Sequence, residues 1–302
     1  LAVAHHGDGF VTVAGQPAYV YTGGKSPGPA DFARLPLVVF IHGAQQDHSC
    51  WGLQSRWFAH HGFAVAAPDL PGHGRSAGAP LASVEALADW IAALVDSLGA
   101  ATAFLVGHSL GSLIALETAL RHPQKVSRLA LIGSSLPMPV ADVLLAAARD
   151  DEARAAAMVN GWSYSPQAQI GGNTVPGLWM LGMNERLMAR QKPGVFPTDL
   201  AACHAYTRSP ETLTALACPV LVIAGSADRM TPLRAARALT TAIPDGRLTV
   251  AEPKQAAVGA ADASRPARLK VGPHERVRTI AEAARVARNG DVVEILPGDY
   301  RG

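Results

Sequence analysis

The chain has 302 residues, of which 49% are apolar and 17% charged, and a formal net charge of +2. That length buries a core for one large α/β domain or two smaller ones, and the composition excludes a disordered chain. The small charge gives no electrostatic case for nucleic acid or a membrane surface, and no apolar run approaches the roughly 20 residues of a membrane span.

In chain order, "GFVTVAG" (9–15) and "PAYVYTG" (17–23) are separated by a short turn and predict an opening hairpin. "PLVVFIHG" (36–43), "FAVAAPDL" (63–70), "TAFLVGHS" (102–109), "SRLALIGS" (127–134) and "PVLVIAGS" (219–226) are short and apolar on both faces. Such continuity marks strands buried between two helix layers. Helices are predicted between them at about 51–61, 83–97, 110–122 and 232–242. Ser83 serves as N-cap of the second and Gly99 ends it. The third is apolar nearly all round and should lie buried against the sheet.

Between Ser134 and Ala217 the rhythm changes. Helical runs ("ADVLLAAARDDEARAAAMV", "MNERLMARQ") surround a Gly/Pro/aromatic stretch, and no buried-strand pattern appears. An insertion of this size between two strands is a candidate lid, about 135–215. Trp162, Trp179, Met180 and Met183 within it suit either an apolar substrate pocket or the insertion's own core.

The most specific motif is "VGHSLGS", which places Gly107-His108-Ser109-Leu110-Gly111 between an apolar strand and an apolar helix. The two glycines permit the sharp turn that presents Ser109 at the end of the sheet, and the helix behind it aims its positive end at the site. With "HGAQQDHSCW", "DLPGHGRS" and "VIAGSADRMTP" in the expected order, residues 9–250 resemble the α/β-hydrolase superfamily. The resemblance implies a doubly wound, mostly parallel eight-stranded α/β sheet with a helical lid. It also implies Ser109 as nucleophile, Asp228 as triad acid, and the backbone N–H groups of Ala44 and Leu110 as oxyanion donors. His42 and His73 are expected to orient loops, His108 to point away from the pocket, and His48 to stand near its entrance. Asp69 is expected to be structural. Serine on the elbow favours acyl transfer to water from an ester, thioester, amide, lactone or carbon–carbon bond beside a carbonyl. The expected partner is a small acyl substrate, and no cofactor or metal is expected.

The family's catalytic histidine should follow the strand "GRLTV" (246–250) within about eight residues, and none is there. The one histidine after Asp228 is His274, the sole downstream candidate for the base. Residues 253–268 read as an Ala/Pro/charged linker. Residues 269–302 read as strand, helix "TIAEAARVAR", Asn-Gly-Asp turn and strand, and resemble the N-terminal start of a pectin-lyase-like right-handed β-helix. The alternatives are thus an impaired serine hydrolase, a non-catalytic binding protein on that fold, and a truncated or chimeric product. Three scattered cysteines, Cys50, Cys203 and Cys218, form neither a disulfide framework nor zinc spacing, so a reducing cytoplasm is expected. Leu1 rather than methionine opens the chain and "GDYRG" closes it, so a lost signal peptide stays open.

Overall fold

A computed structural model describes residues 9–165, 169 and 179–252, together with the backbone of two strands at 268–271 and 292–295. The chain divides into two compact units, Leu1–Pro253 and Lys254–Gly302.

The first unit is an eight-stranded sheet. It opens with the antiparallel pair β1 (Phe10–Val13) and β2 (Gln16–Tyr21), and β2 pairs antiparallel with β4 (Ala64–Pro68). From there the sheet is parallel through β3 (Leu37–Ile41), β5 (Ala103–His108), β6 (Val126–Ile132), β7 (Val220–Gly225) and β8 (Gly246–Ala251), in the spatial order β1-β2-β4-β3-β5-β6-β7-β8. The central strands β3 and β4 are buried at every position, as their unbroken apolar runs require.

Helices α1 (Pro29–Arg34), α2 (Gly52–Ala59), α3 (Val84–Ser97) and α4 (Leu110–Arg121) follow in turn, and α10 (Leu233–Ala242) lies between β7 and β8. The Ser83 side chain accepts the Ala86 N–H at 3.2 Å and starts α3; Gly99, at φ 76°, lets the chain leave it. Helix α1 had no counterpart in the sequence reading: it has six residues, and only Phe32 is buried. In α4, ten consecutive residues from Leu110 to Ala119 are buried, because the helix is enclosed by α3 and the sheet. Each such leucine or isoleucine contributes about 1.5–3 kcal/mol relative to an exposed one.

The segment between β6 and β7 carries α5 (Asp142–Asp150), α6 (Glu152–Ser163), α7 (Met180–Ala189), α8 (Val195–Ala205) and the short α9 (Pro210–Leu213). The first helical run is two helices rather than one. Asp151 leaves helical geometry and its side chain caps α6 by accepting the Arg154 N–H at 3.0 Å. The insertion has a core of its own around Leu144, Ala148, Phe196 and Leu200.

In the second unit, β9 (Arg268–Val271) and β10 (Val292–Ile295) pair in parallel. The expected helix and turn between them, His274 and the linker residues 253–267 lie outside the described residues.

Candidate active site

Ser109 sits between the last residue of β5 and the first of α4 at φ 54° and ψ −121°. An L-residue enters that region only when its surroundings impose it. The Ser109 N–H donates to Ile132 O on the neighbouring strand at 3.0 Å, and its carbonyl accepts the Ser112 N–H at 2.8 Å. Both flanking glycines are required by close approach. A methyl on Gly107 would overlap the Gly111 carbonyl, and one on Gly111 would overlap the carbonyls of Ile41 and His42. The turn therefore holds the serine at the C-terminal end of a central strand, against the N-terminus of a twelve-residue helix.

The elbow opens on a cavity of about 790 Å³ that also receives Gly43, Ala44, Asp228 and Thr231. Met138, Val140, Leu144, Met188, Phe196 and Leu200 give it an apolar wall, and Gln46 and Asn184 a polar one. The structure thus brings Ser109, Ala44 and Asp228 together from segments far apart in sequence. Leu110 is fully buried at the first position of α4, where its N–H has no carbonyl of the preceding turn to bond.

Asp228 is anchored by its own loop. One carboxylate oxygen accepts the N–H groups of Met230 (2.8 Å) and Thr231 (2.9 Å), and the other accepts the Thr231 hydroxyl at 2.8 Å. The residue at the N-cap of α10 is Pro232, so Asp228 braces the turn ahead of the helix rather than capping it. Among the described residues no histidine is hydrogen-bonded to Ser109 or to Asp228.

The histidines divide sharply. His108 lines the cavity instead of pointing away from it. It is the terminal residue of β5, where buried and half-buried positions alternate, and it falls on the half-buried side with Phe104 and Val106. Burial pushes its pKa down, against the pull of Asp228. His42 and His73 are fully buried, with ring centres 4.9 Å apart. The His42 ring meets the Gly43 carbonyl through Nδ1 (2.8 Å) and accepts the Leu70 N–H at Nε2 (3.1 Å), so it is the neutral tautomer. Burial, aided by the neighbouring His73, lowers its pKa to about 4. His73 has acceptors on both sides, Pro71 O at 3.0 Å and Asp199 Oδ2 at 2.9 Å, which is the pattern of an imidazolium. Burial opposes that charge, yet Asp199, the Pro71 carbonyl and Asp69 together raise the pKa. His48 is absent from the cavity lining; its Nδ1 bonds Asp69 Oδ1 at 2.7 Å between the rings of Tyr19 and Tyr21.

Asp47, His48 and Asp69 lie close enough to suggest a metal site. Their lone pairs are already used. Asp47 accepts from Ser49 N–H, from Gln191 and from both arms of Arg190, and Asp69 accepts from the His48 and Arg75 N–H groups. A guanidinium on one carboxylate makes this a polar knot that ties loops together, as expected for Asp69.

Of the apolar pocket residues expected in the insertion, Trp162 lines the cavity. Trp179 and Met183 are not among the lining residues and are 49% and 57% exposed. The Trp179 ring packs over Gly182, where a Cβ would overlap it, so it covers its own helix instead of a substrate. Sequence reading passed over Gln45, Gln46, Asn184, Arg190 and Asp199, which join the insertion to the loop after β3. No periodicity in α8 marks Asp199, because its apolar residues are spread round the helix and the carboxylate is buried among Phe196, Leu200 and Cys203.

Residues 36–256 match the model of the α/β-hydrolase fold family. The chain is 33% identical over 228 residues to a pimeloyl-[acyl-carrier protein] methyl ester esterase of Aromatoleum aromaticum, covering 70% of this chain and 88% of that one. The enol-lactonase of Burkholderia xenovorans superposes with a TM-score of 0.68 at 22% identity, over 84% of this chain and 95% of that one. An N-acyl homoserine lactone degrading enzyme superposes with a TM-score of 0.67 at 23% identity, over 80% and 91%. The chain belongs to the α/β-hydrolase fold family, whose relatives here are hydrolases and esterases.

Proposed function

We propose that the chain is a serine hydrolase of small acyl substrates, of the ester, thioester or lactone class, working through an acyl-enzyme on Ser109. The observation that carries this reading is the strained serine at the elbow, open to the same cavity as Asp228 and an apolar wall. In this reading Ser109 attacks the substrate carbonyl, and the N–H groups of Ala44 and Leu110 receive the developing negative oxygen. Asp228 supports the histidine that takes the serine proton, and the insertion acts as a lid. The relatives' action on esters and lactones supports the substrate class. His274 is the base that sequence order offers, and His108 is the histidine that shares the cavity with Ser109 and Asp228. The parallel pairing of β9 and β10 supports reading the C-terminal unit as the first coil of a parallel β-helix.

A fluorophosphonate probe tests the reading. Labelling of the full chain that Ser109→Ala abolishes supports an activated nucleophile. No labelling of a folded sample would leave the binding-protein alternative in its place. His274→Ala and His108→Ala, compared for labelling rate, assign the base.

A further inference from the structure

We propose that Asp199, on insertion helix α8, is a positioning residue that holds the loop after β3 in the shape needed for oxyanion stabilisation. The inference rests on the proposed function for its catalytic consequence, but not for its structural one.

The loop has a local problem. Gln45 follows the expected donor Ala44 and adopts φ 56°, a conformation that a side chain with a Cβ rarely takes. Nothing adjacent in sequence holds it there by its N–H. That N–H donates to Asp199 Oδ2 at 2.8 Å, across 154 residues of chain. The same oxygen accepts from His73 Nε2 at 2.9 Å, so one carboxylate joins three segments: the loop after β3, the loop after β4, and the insertion. Asp199 is 1% exposed and His73 fully buried, which places the pair where its attraction is least screened. The groups facing His73 are Asp199, Asp69 and the neutral His42.

The rest of the contact repeats the arrangement. Gln45 Nε2 donates to Met188 O at 3.2 Å and Gln46 Nε2 to Asn184 Oδ1 at 3.0 Å, while the Arg190 fork grips Asp47. Four consecutive loop residues, 44 to 47, thus include three that bond to α7 or α8 or to the turn between them. Asp199 is absent from the cavity lining, so it acts through the loop rather than on substrate.

The test measures amide hydrogen exchange of the peptide spanning residues 43–47 in the full chain, with β6 as internal reference. Asp199→Ala is expected to raise exchange of that peptide about tenfold or more, while β6 stays protected. Asp199→Asn keeps the volume and one acceptor and is expected to change it less but in the same direction; it decides the matter if the alanine variant does not fold. Unchanged loop exchange in a folded variant overturns the proposal. Where p-nitrophenyl butyrate is turned over, kcat should fall about ten- to a hundredfold with KM nearly kept, since a displaced donor is felt in the transition state. A raised KM with kcat kept would overturn it as well. If the parent chain turns nothing over, the proposed function fails while the exchange result still judges Asp199.

Discussion

The elbow and the insertion meet at the same cavity but are built on opposite terms. At the elbow, five consecutive residues determine the geometry: Gly107 and Gly111 clear the space, and Ser109 is forced to φ 54° between them. In the insertion, the decisive contacts are made by single polar side chains to loops more than a hundred residues away. Local steric necessity leaves a pattern that a short motif can carry. Long-range polar satisfaction leaves only a buried aspartate or an ordinary arginine, without spacing that marks it.

The largest effect that would sharpen this contrast is Gly111→Ala. Its methyl would meet two backbone carbonyls of the loop beginning at β3, neither of which can yield as a flexible side chain could. A loss of about 3 kcal/mol or more in denaturant unfolding is expected. A variant as stable as the parent would show that the elbow is looser than its close approaches require.

The second effect separates two buried histidines by sign. His42 holds its proton less well when folded, with a pKa near 4 against 6.5 for an ordinary histidine. Between those values the unfolded chain binds the proton and the folded chain does not, so its contribution to stability falls as pH falls. Each pH unit within the window costs about 1.4 kcal/mol, or about 3 kcal/mol across it. His73 is raised instead, so its contribution is complete below pH 6.5 and is lost as pH rises through the folded value. Unfolding free energies of parent and His42→Gln across pH 4 to 6.5 check the first. The variant should lose about one proton's worth of slope, and an unchanged slope would refute the neutral assignment.

These histidines also show what the sequence made legible. The motifs "HGAQQDHSCW" and "DLPGHGRS" were enough to assign His42 and His73 to loop geometry, because both follow buried strands where the chain must turn. The strand positions, the buried α4 and the elbow followed from apolar runs and paired glycines in the same way, whereas the spatial order of the strands is seen only in the structure. The partner of His73 did not follow, since Asp199 lies 126 residues downstream and helix α8 has no neighbouring residue that announces it. His108 shows a related limit: alternation along a strand says which residues share a face, but not which of them meets a cavity at the strand's end.

A smaller effect probes the far anchor of the insertion. Tyr206, just past α8, donates its hydroxyl to Glu117 on α4 at 2.8 Å, and the Arg208 guanidinium engages the same carboxylate, which is 1% exposed. Burial first, then Glu117, raises the tyrosine's pKa, so it stays a donor throughout the working pH range. Tyr206→Phe keeps the ring and removes only the donor. A cost of about 1–2 kcal/mol is expected in denaturant unfolding, softened by the bonds Arg208 still gives the carboxylate. A neutral result would show that Arg208 alone satisfies Glu117, and that the insertion is held chiefly at the loop after β3.

The smallest expected effect distinguishes two faces within the insertion itself. Trp162 and Met183 are both partly open to solvent, at 41% and 57%, but Trp162 lines the cavity and Met183, on α7, does not. Removing an exposed side chain that fills no space should change stability by no more than about 0.5 kcal/mol. In a Ser109→Ala background, where substrate binds without being consumed, Met183→Ala should leave the affinity for p-nitrophenyl butyrate within about twofold of the parent. Trp162→Ala should weaken it about tenfold, as loss of an aromatic wall does in an apolar pocket. If the two substitutions proved equivalent, the apolar character shared by Trp162 and Met183 would matter more than the face each occupies. The distinction between a wall and a surface would then have to be redrawn for the insertion, while the elbow, fixed by its own glycines, would be untouched.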